Sequence, residues 1–230
     1  MGLIIPVRHV AWKTCWRIIP TRYPEERLFD RVTAPADREA VEELEQMTNE
    51  RIRQDHDEVS HVPPSERVKG PGSSYIMAPF TYLNPECSRF SDGSFGVYYT
   101  AHEIETAVAE STYHREKFMR RTKEPAMQLQ MRALKAALNA NLHDIEGMGK
   151  KLPRVYSRTS YSASQELGVR LRKEGTEGIH YDSVRHEGGE CAAVFTPTAL
   201  SHCHPERQLI YQWDGKHIVT TFELKEIPRE

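Results

Sequence analysis

The sequence has no long run of apolar residues, which excludes a membrane-spanning helix. A span needs roughly 18 consecutive apolar residues, whereas the hydrophobic residues here, 38% of 230, are dispersed among charged ones. The opening MGLIIPVRHV is too short an apolar stretch for a secretory signal and offers no small-residue cleavage site. We therefore expect a globular protein of the cytoplasm that does not bind membranes.

The sequence also lacks an excess of either charge. Lys and Arg total 31 against 33 Asp and Glu, which gives a formal net charge of −2. A balance this close to neutral removes the bulk electrostatic attraction that drives binding to nucleic acid. We predict no direct nucleic-acid partner, although local basic clusters can still bind phosphate groups.

Cysteine is scarce, and the common cofactor motifs are missing. The four cysteines have no CxxC spacing, which favours reduced thiols over a disulfide framework. No segment has the pattern of a phosphate-binding P-loop or of a dinucleotide-binding glycine motif. His202, Cys203 and His204 are adjacent, so on a strand they would point to opposite faces, and no second ligand pair follows at a useful spacing. We expect no metal site.

Apolar periodicity and turn residues predict both helices and strands in irregular order. The predicted helices cover residues 37–55, 103–121 and 162–175, the last with a capping box from Ser162 and Gln165. The predicted strands cover residues 95–99, 127–134, 179–181, 191–195 and a hairpin of 209–213 with 217–224 around Asp214-Gly215. The first 35 residues indicate short strands and turns, and residues 56–85 a loop with one short strand at Tyr75–Ala78. Without regular βαβ alternation, this pattern indicates an α+β fold.

The densest group of chemically useful side chains lies between residues 87 and 114. Arg89 occupies a turn before an aromatic strand, and the strand leads into a helix on which Glu110 and His114 share a face. A turn arginine can meet a phosphate, and a strand tyrosine offers a stacking surface. The alternative is a solvated helix face, because Glu and His four residues apart are common there. A second pair, Ser183 and Arg185, follows a predicted strand and suits phosphate or ribose, or is plain surface.

At these residues the sequence resembles the RES domain family, mostly bacterial toxins of toxin–antitoxin pairs with a fold similar to ADP-ribosyltransferases. The resemblance is carried by SRFSDGSFGVYYT, TAVAESTYH, YSASQELGVRL, GIHYDSVR and CAAVFTP. The family's intervals recur here: Tyr99 follows Arg89 by ten residues, Glu110 follows Tyr99 by eleven, and His114 follows Glu110 by four. Ser183 stands in the family's Tyr-x-Ser-x-Arg stretch. The resemblance implies mixed and antiparallel sheets flanked by helices.

The resemblance further implies NAD as substrate. Some members are similar to phosphorylases that split NAD with inorganic phosphate into nicotinamide and ADP-ribose 1-phosphate. Others are similar to mono-ADP-ribosyltransferases, and a third alternative is a non-catalytic relative that binds a nucleotide or partner. We expect an NAD phosphorylase or NAD glycohydrolase that depletes cellular NAD, because the four family residues at 89, 99, 110 and 183 are all present.

The resemblance also assigns roles to individual residues. Arg89, Tyr99, Glu110 and Ser183 are the expected catalytic residues. Residues expected to contact the dinucleotide are Arg17, in CWRIIP and with Arg22 as a competing position, together with Arg89, Tyr99, His114 and Ser183. The family's Gly-Gly-Arg-Trp-Asn turn is Cys87-Ser88-Arg89-Phe90-Ser91 here, which leaves the contacts beside nicotinamide open.

The chain is predicted to be one domain, residues 1–230, with an insertion at about 36–85. We expect the insertion to add packing and to contribute a lid, the alternative being a surface for an antitoxin or target. The resemblance implies two partners: a helix-turn-helix antitoxin and a second copy of the chain in a homodimer.

Overall fold

A computed structural model describes residues 4–21, 62–84, 86–225 and 227. The strands are β1 Val7–Pro20, β2 Tyr98–Ala101, β3 Met127–Asp144, β4 Gly178–Asp182, β5 Glu190–Val194, β6 Leu200–Trp213 and β7 Ile218–Leu224. The helices are α1 Ser73–Thr81, α2 Ile104–Thr122 and α3 Ser162–Lys173. These elements confirm the predicted α+β class. Within the described ranges, no helix is both long and apolar enough to cross a membrane.

The seven strands form one sheet whose pairings close a ring. The sheet order is β1-β2-β5-β4-β3-β6-β7, and β1 also pairs antiparallel with β3 from Val7↔His143 to Pro20↔Met131. Each strand in the series β1, β2, β5, β4 and β3 therefore pairs with the next, and the last strand, β3, pairs with the first. Two links of this ring are short: β1 meets β2 only at Trp16↔Ala101, and β3 meets β4 in parallel over two residue pairs.

Two apolar cores lie on opposite faces of the sheet, as strand alternation requires. In β5, for example, Cys191 and Ala193 belong to one core, and Ala192 and Val194 belong to the other. Helices α2 and α3 contribute to the first core, and α1 contributes to the second. Neighbouring Tyr98 and Tyr99 face opposite cores, so only one of them can take part in a site on the α2 side.

The prediction of a loop with a short strand at Tyr75–Ala78 was wrong, since the segment is helix α1. The helix starts after Gly72, whose backbone φ of 76° is a left-handed conformation that glycine adopts readily. Ile76 and Phe80 are four residues apart and both are buried in the second core. This one apolar face outweighs the turn residues around it, including Pro79 inside the helix.

The long strands also differ from the prediction of short ones near the chain start. Residues 7–20 form one continuous strand that ends at Pro20, and β3 runs ten residues past its predicted end at residue 134. The extension, KAALNANLHD, is poor in residues that favour strands, and pairing with β1 fixes it as a strand. The predicted helix at 37–55 lies outside the described residues.

His180 joins three strands at the short parallel link of the ring. Its ring is fully buried; Nδ1 lies 2.9 Å from Asp144 Oδ1 on β3, and Nε2 lies 3.1 Å from Glu190 Oε2 on β5. Because both neighbours are carboxylates, the imidazole can donate to both only with a proton on each nitrogen. The side chain thus contacts both neighbouring strands where the sheet has few pairings of its own.

His180→Gln is expected to lower the free energy of unfolding by about 2–3 kcal/mol, because two partly buried carboxylates lose the buried donor between them. Chemical denaturation at neutral pH measures the change. His204→Gln is the matched control, since His204 also faces a carboxylate, Glu206, at 3.1 Å but is exposed. We expect almost no change there. Equal effects of the two substitutions would show that His180 does not tie the strands together.

Candidate functional site

The turn that carries Arg89 is held from two sides. From β2, the Tyr99 hydroxyl lies 2.8 Å from Ser88 Oγ and accepts a hydrogen bond from the Phe90 amide at 2.8 Å. From α3, Gln165 Nε2 donates to the Ser88 carbonyl at 3.0 Å. Burial raises the pKa of Tyr99 to about 12, so the phenol stays protonated. Tyr99 and Gln165 together fix the position of the Arg89 backbone.

The capping box predicted at Ser162 and Gln165 was wrong. Helix α3 begins at Ser162, its N-cap is Tyr161, and no side chain caps it. The Gln165 amide points instead to the turn at residue 88, where it satisfies a carbonyl group. A residue that the sequence pattern assigned to helix capping is therefore part of the support of the site.

Arg89 is buried with an incompletely satisfied guanidinium. Its Nη1 donates to the carbonyls of Val155 and Ser157, each at 3.2 Å, and its guanidinium carbon lies 4.6 Å from the centre of the Tyr161 ring. Its Nη2 is also buried and has no hydrogen-bond partner among the described residues. The guanidinium is thus held rigidly and keeps donor capacity for a ligand.

Glu110 and Ser183 form the central contact of the site. Ser183 Oγ donates to Glu110 Oε1 at 2.6 Å and accepts hydrogen bonds from the backbone amides of Arg185 and His186, each at 3.0 Å. The two amides leave the hydroxyl proton directed at the carboxylate. Glu110 on α2 and Ser183 after β4 are 73 residues apart in sequence, and the fold brings them together.

Two buried groups lie close to the Glu110 carboxylate. Burial raises the pKa of Tyr181 well above its ordinary value, and the nearby Cys191 and Glu110 raise it further. Cys191 is buried as well, and its burial and the nearby Glu110 charge raise the pKa of its thiol. Both groups therefore stay neutral at physiological pH, and Cys191 is not a thiolate nucleophile.

His114 lies among cations at the same site. Its side chain is exposed, yet desolvation by the surrounding protein, followed by Arg185, Arg89, Lys117 and Arg115, lowers its pKa to about 4. The ring is thus neutral at pH 7 and can donate one hydrogen bond and accept another. An anion bound beside it would be surrounded by positive charge.

Arg185 was a candidate from the sequence, whereas the residues packed around it were not. The Arg185 guanidinium stacks on the Tyr113 ring, with 3.3 Å from its central carbon to the ring centre, and Nη2 donates to the Arg158 carbonyl at 2.6 Å. Lys117 Nζ lies 5.9 Å from the Tyr161 ring centre. The sequence paired Arg185 with Ser183 as groups suited to phosphate or ribose, with plain surface as the alternative. The others come from an irregular segment or from spacings common on any helix.

Arg17 lies apart from this group. Its guanidinium stacks over the Tyr98 ring at 4.7 Å, on the opposite face of β2 from the Tyr99 side chain, and Nη1 donates to the Tyr99 carbonyl at 3.1 Å. Burial lowers its pKa. Of the six predicted site residues, five surround one place: Arg89, Tyr99, Glu110, His114 and Ser183. Arg17 contacts this group of residues only through its hydrogen bond to the Tyr99 carbonyl.

One group among the described residues has the donor atoms of a metal site: Asp144, Glu146 and His180. Its carboxylates already have partners, because Arg8 Nη1 lies 2.6 Å from Glu146 and 3.8 Å from Asp144, and His180 Nδ1 lies 2.9 Å from Asp144. It lies on the opposite sheet face from Tyr181 and from the Glu110 contact, so we assign no metal chemistry to it.

The geometry defines an α+β protein with a carboxylate–serine pair enclosed by arginines, an arrangement suited to a ligand that combines hydroxyl groups and phosphates. The sequence model of the RES domain family matches residues 64–214, more than half of the chain. The chain belongs to the RES domain family. This confirms the resemblance inferred from the motifs.

Two individual proteins are similar to the chain. The uncharacterized protein y4oC of Sinorhizobium fredii (strain NBRC 101917 / NGR234) is 30% identical over 217 residues, which cover 94% of this chain and 89% of that protein. A chain in the crystal structure of the M. tuberculosis MbcT–MbcA toxin–antitoxin complex aligns with 88% of this chain and 85% of its own length, at 10% identity and a TM-score of 0.43.

Proposed function

We propose that this protein is an NAD-consuming toxin that cleaves the nicotinamide–ribose bond. The observation that carries the proposal is the 2.6 Å contact of Ser183 with Glu110, surrounded by Arg89, Tyr99 and His114. Membership of the RES domain family supports NAD as the substrate, since the family's known members act on NAD.

The chemistry needs a fixed negative charge near the ribose. Departure of nicotinamide develops positive charge on the ribose, as in glycoside hydrolysis. The Glu110 carboxylate stabilises this charge as it grows and accepts hydrogen bonds from ribose hydroxyls. Ser183 orients one carboxylate oxygen and leaves the other for substrate. Nicotinamide leaves as a neutral molecule, so no strong general acid is required.

The other site residues take binding roles in this proposal. Arg89 holds a phosphate of NAD or the attacking phosphate through its free Nη2. The neutral His114 donates to a phosphate or orients Glu110. Tyr99 contributes its ring to the ribose side, while its hydroxyl holds the turn of Arg89. Arg17 lies on the other face of β2 and takes no direct binding role in this proposal.

Inorganic phosphate is the acceptor we favour over water. Four cations affect the His114 ring, and one carboxylate, Glu110, lies in the same site. This excess of positive charge attracts a dianion and gives water no advantage. We therefore propose the NAD phosphorylase reaction, with ADP-ribose 1-phosphate as product. The competing reaction, transfer of ADP-ribose to a protein, needs no phosphate.

Mass spectrometry of NAD products from the purified protein, with and without inorganic phosphate, tests this proposal. We expect ADP-ribose 1-phosphate and nicotinamide only when phosphate is present. Free ADP-ribose regardless of phosphate would show a glycohydrolase. ADP-ribosylated protein after addition of cell lysate would show a transferase. Intact NAD with no modified protein would reject the enzymatic function and leave a binding role.

Membership of the RES domain family also supports a proposal about where the protein acts and what restrains it. We propose that the protein acts in the cytoplasm, where NAD is abundant, and that an antitoxin restrains it. A helix-turn-helix domain in that antitoxin, and a homodimer of this chain, remain predictions from the resemblance. None of the four cysteines, all within the described residues, is in a disulfide bond, which suits a reducing compartment.

A further inference from the structure

Two arginines at the site each present one buried nitrogen donor without a hydrogen-bond partner. Among the described residues, only three buried side-chain polar atoms have no hydrogen bond: Arg89 Nη2, Arg185 Nε and Thr81 Oγ1. A buried guanidinium donor left unpaired costs free energy, so native proteins usually satisfy such groups. Two of the three belong to cations that act on the same imidazole, His114. That two unpaired arginine nitrogens lie near one imidazole indicates a ligand that accepts a hydrogen bond from each of them.

One other nitrogen of each arginine donates to one segment of irregular chain, residues 155–158. Arg89 Nη1 binds the carbonyls of Val155 and Ser157, and Arg185 Nη2 binds the carbonyl of Arg158. The Tyr113 hydroxyl also donates to the Arg158 carbonyl, at 3.4 Å. We name residues 155–158 the strap. It holds each guanidinium in a fixed plane, while Arg89 Nη2 and Arg185 Nε keep their hydrogens for a ligand.

Aromatic rings fix the same two side chains from another direction. Arg89 stacks on Tyr161 and Arg185 stacks on Tyr113. An arginine held by stacking and by backbone carbonyls loses little conformational entropy when it binds an anion. The site is therefore preorganised for a ligand that accepts hydrogen bonds from two directions and carries negative charge.

We propose that Arg185 joins Arg89 in a binding subsite for one phosphate group, and that the strap closes this subsite from one side. The phosphate accepts from Arg89 Nη2 and Arg185 Nε, and the strap carbonyls keep their own bonds, because they use different nitrogens. Ligand binding therefore tightens the strap and does not displace it. The inference deepens the proposed function and rests on it only for the identity of the phosphate.

Two sources offer the same chemistry: free inorganic phosphate and the pyrophosphate of a dinucleotide. Titration calorimetry of the full chain with inorganic phosphate in one arm and ADP-ribose in the other distinguishes them. If only one of the two compounds binds, that compound identifies the source of the phosphate group in the subsite. Binding of neither compound overturns the subsite, whatever the NAD assay shows. Binding without NAD cleavage retains the subsite and rejects the proposed reaction.

Arg185→Gln is expected to weaken binding of the effective compound by about tenfold to a hundredfold, since a charge-assisted hydrogen bond and a stacked cation are lost. Arg185→Lys keeps the charge without the Nε donor and the planar stack, so it should recover little of the loss. Arg170→Gln removes an equivalent charge from an exposed pair on α3 and serves as control. Full recovery with lysine, or equal losses at residues 170 and 185, would overturn the proposal.

Two further measurements report on the site directly. In NMR titrations, the bound compound should raise the pKa of His114 in the wild-type protein and in Arg170→Gln, but not in Arg185→Gln. Hydrogen exchange of the amides at residues 155–160 should slow when the compound binds. Faster exchange there would show that the anion displaces the strap, which contradicts the proposed geometry.

Discussion

Glu110→Gln is expected to lower the rate of NAD cleavage by about 10²–10³-fold, because one preorganised charge that stabilises the transition state is removed. The amide keeps the shape of the side chain and can still accept from Ser183 Oγ, so the site stays assembled. Binding of ADP-ribose should change far less than turnover, since the lost interaction is made mainly in the transition state. Nicotinamide release, followed by mass spectrometry under saturating NAD, measures the effect.

Glu105→Gln is the matched control for this prediction. Glu105 lies on the same helix in its first turn and is exposed. The same change of charge at the surface should leave turnover near the wild-type rate. A Glu110→Gln protein that is folded and turns over NAD like the control would remove the carboxylate from the mechanism. The anion subsite at Arg89 and Arg185 would then have to be explained by another reaction.

Gly168→Ala is expected to destabilise the protein by about 2–3 kcal/mol, because overpacking forces neighbouring backbone to move. A methyl group at residue 168 of α3 would overlap the carbonyl group of Phe90, in the turn that carries Arg89. Relief requires the helix and the turn to separate, which also displaces Arg89. We expect a melting temperature lower by about 5–10 °C and a loss of NAD turnover larger than the loss of folded protein.

Gly149→Ala provides the comparison. A methyl group at residue 149 would lie 4.0 Å from the Tyr156 ring, an ordinary contact distance, and the backbone there has no left-handed φ. Its thermal unfolding and its turnover should match those of the wild type. If Gly168→Ala behaves in the same way, close approach of α3 to the turn is not what positions Arg89.

The sequence predicted which residues form the site better than it predicted how the fold brings them together. The intervals between Arg89, Tyr99 and Glu110 identified the family, because they reflect a turn, a strand and a helix that follow one another directly. The pairing of Glu110 with Ser183 depends on the sheet order, which no local pattern encodes. Arg17 illustrates the limit: a match of residue type suggested a place in the site, but its side chain leaves β1 on the other sheet face, against Tyr98.

Irregular chain was the hardest part to predict. The strap acts through backbone carbonyls, which every residue has, so no side-chain pattern marks it. Gln165 had a plausible local role in helix capping, and a long-range contact with Ser88 overrode that role. In α1 and in the second half of β3, tertiary pairing likewise outweighed local propensity.

The ring of strands has a consequence for how the chain acquires its activity during synthesis. Strand β1 is made first, but its partner β3 follows more than a hundred residues later, and the ring closes only when β5 at residues 190–194 has been made. At ordinary rates of translation, β1 waits on the order of ten seconds for its partner. A nascent chain that ends before residue 183 lacks both a closed ring and Ser183, so the paired Glu110 and Ser183 cannot assemble before the last strands of the ring have emerged.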